Sequence, residues 1–215
     1  MYLRIFPLQT VLFPGMRMPL HIFEERYKAM IRECIEEDTT FGVVLIRDGA
    51  EVGGGAVPHT IGTTARIAQV EYLDDGRMNL FTMGERRFQI AQINTERDFL
   101  RAEVEFIDQE PAGAPAFEAM PRAGELFNEY LRTYLSLGDQ YTRGDSLPDD
   151  PGEAADYIAA RVETGTAIKQ SWLEELRPEA RLALELETIA GDLPDMRQRL
   201  AMRRRQKTSG FAVLN

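Results

Sequence analysis

The sequence has one cysteine, Cys34, so no disulfide can form within the chain. Cys34 lies among apolar residues at helical spacing, which predicts a buried, reduced thiol rather than a nucleophile. Long apolar runs are also absent, because the longest clean one, residues 41–46, is far too short for a membrane-spanning helix. The N-terminus lacks the basic and apolar regions of a secretion signal. These absences predict a cytoplasmic protein that does not enter a membrane.

Histidine and lysine are scarce, which limits the metal sites and catalytic sites that the chain could form. His21 and His59, with one cysteine, cannot supply the usual ligands of a structural zinc. No Gly-Lys pair occurs, so the glycines at 53–55 cannot open a P-loop and instead predict a flexible hairpin-type loop. Lys169 and Ser171 lie two apart on a predicted helix, so their side chains point in different directions and cannot form a dyad. We therefore predict no catalytic residues, no cofactor and no metal ligands.

The charge is strongly acidic overall but unevenly distributed. The formal net charge is -10 with an isoelectric point near 4.8, yet residues 197–207 contain six basic side chains and no acidic one. An acidic body repels nucleic-acid phosphates, so the charge argues against non-specific nucleic-acid binding.

Residues 3–27 form the most distinctive stretch of the chain. Two apolar runs, residues 3–6 and 11–13, predict strands, and three interspersed prolines exclude a helix. Pro14-Gly15 predicts a sharp turn. Beyond Pro19 the apolar residues recur three or four apart, which predicts an amphipathic helix whose apolar face carries Phe23, Tyr27, Met30, Ile31, Cys34 and Ile35.

This stretch, IFPLQTVLFPGMRMPLHIFEERY from Ile5 to Tyr27, resembles the start of the Lon protease N-terminal domain family, also called the Lon substrate-binding domain. Further matching blocks are Ile61-Gly62-Thr63, Ala65-Arg66-Ile67, Asp75-Gly76-Arg77, and Gly84 with Arg87-Phe88. The resemblance implies a PUA-like antiparallel pseudo-barrel with a helix over residues 24–37 packed on it. It also implies a stand-alone relative that lacks the ATPase and protease modules of Lon.

The residues themselves predict the same β-rich first half. Residues 41–46 read as a strand buried on both faces, since apolar residues do not alternate with polar ones. Strand patterns follow at 61–73, 77–83, 87–93 and 99–107, with turns expected at Asp74-Asp75-Gly76 and at Gly84-Glu85. Closely spaced short strands predict a small curled sheet or barrel.

A proline- and glycine-rich stretch at 110–115 marks a boundary, and the pattern beyond it is helical. We predict an α+β fold with a β-rich domain at 1–110 and an α-helical subdomain at 116–207. Helices are expected from near Pro121 to Gly138, from Pro151, over 166–176, and from Pro178 onward.

The apolar spacing of the last helical region has two interpretations, packing within the helical half or a dimer seam. Leu182, Leu186, Ile189, Leu193, Met196 and Leu200 are spaced like a coiled-coil seam, and the pattern favours packing within the helical half over a dimer seam. Because Gly191 and Pro194 interrupt it, we expect a break or kink there, with Asp192 capping a second helix that starts near Leu193.

Three functions from different classes remain. The leading hypothesis is a non-catalytic protein-binding or polypeptide-binding module that serves as an adaptor or accessory factor in proteolysis or protein quality control. Its candidate surface is Met16, Met18 and Phe23, although for Phe23 packing in the core is the favoured alternative. RNA binding through the basic C-terminal run is the alternative, because PUA-like folds elsewhere bind RNA. Chemistry in a barrel pocket is the least favoured, since no catalytic constellation can be assembled. The expected partner is a polypeptide, and the expected state is a monomer or a weak homo-oligomer.

Overall fold

A computed structural model describes residues 1–49 and 55–211, with side chains described as far as Arg205. The glycines at 53 and 54, to which the flexible-loop prediction applies, lie outside the described residues. The strands are β1 (Tyr2–Leu8), β2 (Arg17–Ile22), β3 (Phe41–Asp48), β4 (Val57–Tyr72), β5 (Met78–Asn94) and β6 (Leu100–Phe106). The helices are α1 (Glu25–Glu36), α2 (Ala114–Leu137), α3 (Pro151–Arg161), α4 (Thr166–Glu174) and α5 (Pro178–Phe211).

The chain divides into two compact units. The first comprises Met1–Glu110 and Ala159–Leu176, and the second comprises Pro111–Ile158 and the residues from Arg177 onward. Helix α4 therefore belongs with the strands and α1 rather than with α2 and α5. The predicted limits of a β-rich domain at 1–110 and a helical subdomain at 116–207 stay a prediction.

The first unit is a closed sheet, in agreement with the predicted α+β pseudo-barrel. Strand order is β2-β5-β4-β3-β1-β6, and β5 also pairs with β6, which closes the ring. Strand β5 is long enough to pair with β2 along its first half and with β6 along its second half. The pairings are antiparallel except that of β1 with β3, which is parallel.

Two apolar clusters fill this unit, one on each side of the strands. The larger lies between the sheet and α1 and includes Phe6, Met30, Cys34 and Phe41. The smaller is built around Phe88, with Ile5 and Val44. Residues 41–46 are buried throughout, as their unbroken apolar pattern predicts.

The proline-rich stretch ends in the predicted Pro14-Gly15 turn, in which Gly15 has φ +72°. Residues 11–13, predicted as a strand, instead form a buried loop. This loop binds β5, because Gly15 N–H donates to Gly84 O and Gly84 N–H donates to Met16 O, both at 2.9 Å. The turn predicted at Gly84-Glu85 is wrong, because β5 continues through these residues as one strand. A glycine is needed at position 84 because the loop lies against the backbone of the strand there.

Helix α4 is tied to the barrel by two polar side chains. Gln170 Nε2 donates to Ile61 O at 3.1 Å, and the buried Arg87 donates through Nε to Leu173 O at 3.0 Å. Trp172, on the same helix, is also buried. These bonds satisfy groups that burial would otherwise leave unpaired.

The second unit is built on the packing of α2 against α5. Helix α2 begins at Ala114 rather than near Pro121, and Pro121 lies inside it. Helix α5 is continuous from Pro178 to Phe211, so the predicted second helix starting near Leu193 is wrong, while the alternative expectation, a kink within one helix, stays a prediction. Burial of Ile189, Leu193 and Met196 on both sides of the proline offsets its lost hydrogen bond.

No helix in the described part of the chain is long and apolar enough to cross a membrane.

Candidate functional site

The outer face of β2 and β5 in the first unit exposes apolar side chains. In β2, Met18 and Ile22 are buried whereas Pro19 and His21 are exposed, as the two-residue period of a strand requires. The register places Pro19 directly opposite Phe81 of β5. The Phe81 side chain is 53% exposed, which is unusual for a phenylalanine in the middle of a three-strand pairing.

A second exposed ring follows immediately after β2. Phe23 is 49% exposed, and its ring stacks on His21 with centroids 6.1 Å apart. Pro19, Phe23 and Phe81 thus lie on one face, which we call the outer strip. Along a strand of about 3.3 Å per residue, its apolar groups span on the order of 15 Å.

Polar residues hold the middle of the outer strip in place. His21 Nδ1 lies 2.7 Å from Asn79 Oδ1, and Asn79 Nδ2 donates to Glu71 at 2.8 Å. Arg77 Nη1 lies 3.4 Å from His21 Nε2. His21 thus has a polar neighbour at each ring nitrogen, Asn79 at Nδ1 and Arg77 at Nε2. The ring that stacks on Phe23 is therefore fixed in orientation from both nitrogens.

The structure separates the three residues that the sequence suggested as a binding surface. Met18 is buried in the core, Met16 is partly buried against it, and Phe23 is exposed. The packing of Phe23 in the core, the favoured expectation for it, is wrong because the helix starts at Glu25, after this residue. Sequence reasoning missed Pro19 and Phe81; the only available signal was their position in alternating strands.

Other reactive side chains are engaged structurally. Cys34 is 1% exposed, and burial raises the pKa of its thiol to about 11. The Ser171 hydroxyl donates to Ile168 O at 2.7 Å, and burial lowers the pKa of Lys169. His59 lies 3.7 Å from Glu174. Among residues 1–49 and 55–205, no three His, Cys, Asp or Glu side chains come together as metal ligands would.

The basic run near the end of α5 is partly neutralised within its own unit. Arg197 pairs with Glu129, Arg203 with Asp139, and Arg199 lies 3.8 Å from Asp195. At least these three basic residues therefore face a carboxylate, which weakens their attraction for phosphates.

A family model described as the ATP-dependent protease La (LON) substrate-binding domain matches residues 2–191. Lon protease 2 of Myxococcus xanthus is 30% identical over 191 residues, which is 87% of this chain and 23% of that protein. Lon protease of Anaeromyxobacter dehalogenans is 29% identical over the same shares of both chains. The chain thus spans about a quarter of the length of these curated relatives.

Solved structures of Lon N-terminal domains also resemble this chain. A Lon N-terminal domain protein from Xanthomonas campestris is 28% identical with a TM-score of 0.66, and the match covers 87% of this chain and 98% of that one. The N-terminal domain of Mycobacterium avium complex Lon protease, at 20% identity, shares the fold with a TM-score of 0.68 over 88% of this chain and 98% of that one.

Proposed function

Because the chain belongs to the Lon substrate-binding domain family, we propose that it is a non-catalytic module that holds apolar segments of polypeptide on the outer strip. It would serve as an adaptor or accessory factor in cytoplasmic proteolysis or protein quality control. The observation that carries this proposal is the exposed pair of Pro19 and Phe81, which face each other across β2 and β5.

The chemistry of the outer strip suits unfolded rather than folded partners. Folded proteins bury most of their large apolar side chains, whereas an unfolded chain presents them at short intervals. Each phenylalanine offers a flat apolar surface whose burial is worth roughly 1.5–3 kcal/mol. Two such rings give weak, sequence-tolerant binding, as a module that must accept many polypeptides requires.

Binding through side chains is favoured over addition of a strand. Strand β2 ends the sheet order, so one of its edges has no paired strand among the described residues. Pro19 lacks an N–H and removes a donor from β2, and prolines in edge strands oppose pairing with other chains.

The basic run of α5 does not favour nucleic acid, since several of its arginines already pair with carboxylates. RNA binding, the alternative function, is therefore not part of this proposal.

The test compares two phenylalanines of equal exposure. Phe81 and Phe117 are both 53% exposed, and Phe117 lies on α2 in the second unit. A fluorescent polypeptide that is reduced and carboxymethylated, and so permanently unfolded, is titrated with each variant. Phe81→Ser should weaken binding at least fivefold, whereas Phe117→Ser should leave it within twofold.

Equal losses in both variants would mean that general surface hydrophobicity, and not the outer strip, carries the binding. Equal affinity of the parent protein for the same polypeptide in its native, folded form would also overturn the proposal.

A further inference from the structure

A groove runs between α2 and α5 in the second unit. Its volume is about 630 Å³, and its floor is made of small or apolar side chains, Ala119, Ala183, Leu186 and Ala190. Its rim carries the carboxylates of Glu118, Glu179 and Glu187 and the guanidinium of Arg122. Neither Glu118 nor Glu187 has an ion pair within the described part of the chain. We call this feature the α2–α5 groove.

The face of α5 that lines the α2–α5 groove continues along the helix with its charge reversed. Eighteen residues make five helical turns, about 27 Å, so positions eighteen apart share a face. Glu179 is followed at this interval by Arg197, Glu187 by Arg205, and Ala183 by Ala201. One face of α5 is therefore acidic in its first half and basic in its second half, with small residues in both.

We propose that a second copy of this chain binds here, with its α5 antiparallel to the first in the α2–α5 groove. An antiparallel pair centred near residue 192 sets Glu187 against Arg197 of the second copy. It also sets Ala183 against Ala201, and Glu179 against Arg205, in each case twice because the arrangement is two-fold symmetric. Both acidic rim residues of α5, Glu179 and Glu187, then meet a basic group of the partner.

Steric space at the centre permits this approach. Ala190 and Pro194 are exposed and lie on the same face, and a Cβ added at Gly191 would meet nothing within 4 Å. Small side chains at a crossing allow two helices to approach closely. Arg197 already pairs with Glu129 of its own chain, but a guanidinium has five N–H donors and can bind a second carboxylate.

The heptad seam of α5 is not this surface. Leu182, Ile189 and Leu193 of that seam are buried within the unit, where α5 packs on α2. The seam therefore contributes to the fold of one copy and is closed to a second. The proposed contact uses the neighbouring face, about a quarter-turn away.

Cysteine crosslinking tests the register. The single native cysteine, Cys34, is buried, so any crosslink that forms comes from the introduced thiols. The double variant with Ala183→Cys and Ala201→Cys should form a disulfide-linked dimer on mild oxidation, and so should a mixture of the two single variants. Each single variant alone should stay monomeric, because two copies of one position lie far apart in this register. A parallel pair would instead crosslink each single variant alone and would form no crosslink between the two different variants. Absence of a crosslink in both the double variant and the mixture would overturn the proposal.

Charge reversal tests the proposed ion pair between Glu187 of one copy and Arg197 of the other. In sedimentation equilibrium at low salt, Glu187→Lys and Arg197→Glu should each weaken self-association at least tenfold. Mixing the two variants should restore it, because both cross-chain pairs are then of opposite charge. Asp192→Lys, an equal charge change on an exposed residue of another face, should change the dissociation constant less than threefold. Failure of the mixture to associate, or equal weakening by Asp192→Lys, would refute the pairing.

Discussion

The carbonyl oxygen of Phe13 lies so close to Gly84 that a Cβ built on Gly84 would stand 2.1 Å from it. The contact is between backbone and backbone, so no side chain can rotate away to relieve it. It fastens the proline-rich loop to the middle of β5, next to the strands that carry the outer strip. This single glycine therefore links the most distinctive stretch of the sequence to the candidate surface.

Gly84→Ala should destabilise the first unit by about 2–4 kcal/mol, because the loop must move away from β5 and lose two hydrogen bonds. Urea unfolding followed by the fluorescence of the buried Trp172 measures this change. Gly165→Ala is the matched control, since an added Cβ there meets nothing within 4 Å, and it should cost less than about 1 kcal/mol. A Gly84→Ala variant as stable as the control would show that the loop is not fixed by this contact.

Arg181 provides a second stability prediction, in the other unit. It is fully buried, donates to Gly152 O at 2.8 Å, and lies 3.6 Å from Asp156 and 4.0 Å from Glu185, both of which are buried. Arg181→Met would remove a guanidinium that lies beside two buried carboxylates, which should cost about 3–5 kcal/mol.

The comparison for Arg181 is Arg203→Met, which removes an exposed pair with Asp139 and a hydrogen bond to Leu137 O, and should cost less than about 2 kcal/mol. Thermal or urea unfolding followed by far-ultraviolet circular dichroism of the helices measures both. Similar costs for the two variants would mean that the Arg181 cluster is not a stabilising part of the unit.

Several elements could be predicted from the sequence because they depend on local chemistry. The Asp74-Asp75-Gly76 turn is present, with Gly76 at φ +78°. The unbroken apolar run at 41–46 and the helix at 166–174 are also present. These patterns identify their elements without knowledge of what lies opposite.

The elements that were missed depend on tertiary contacts. The local sequence does not distinguish a glycine in a turn from Gly84, which lies within a strand and leaves space for a loop to pack against it. Helix α5 passes through Pro194 because packing against α2 supports both sides. The exposure of Phe81 follows from the register of β2 against β5, which a single sequence does not specify.

Cys34 gives a prediction for pH. Burial disfavours the thiolate and raises the thiol pKa from about 9 to about 11. Between these values the folded protein keeps a proton that the unfolded chain has released, so the free energy of unfolding falls as the pH rises from about 9 to about 11. The full loss attributable to Cys34 is roughly 2–3 kcal/mol.

Urea unfolding of the parent protein and of Cys34→Ala across this pH range isolates the thiol. The difference in stability between the two should shift by that amount in favour of the variant as the pH rises. A constant difference would contradict the buried, protonated thiol, as would rapid labelling of Cys34 by a thiol reagent in the native protein at pH 7.

The central claim is that the outer strip contacts polypeptide, and photocrosslinking measures this contact directly. A benzophenone amino acid replaces Phe81 in one variant and Phe117 in another, two positions of equal exposure in the parent chain. After illumination with a radiolabelled, carboxymethylated polypeptide, adducts are quantified by gel electrophoresis. The account predicts at least fivefold more adduct at position 81 than at position 117. Equal yields at the two positions, or no adduct at position 81, would contradict it.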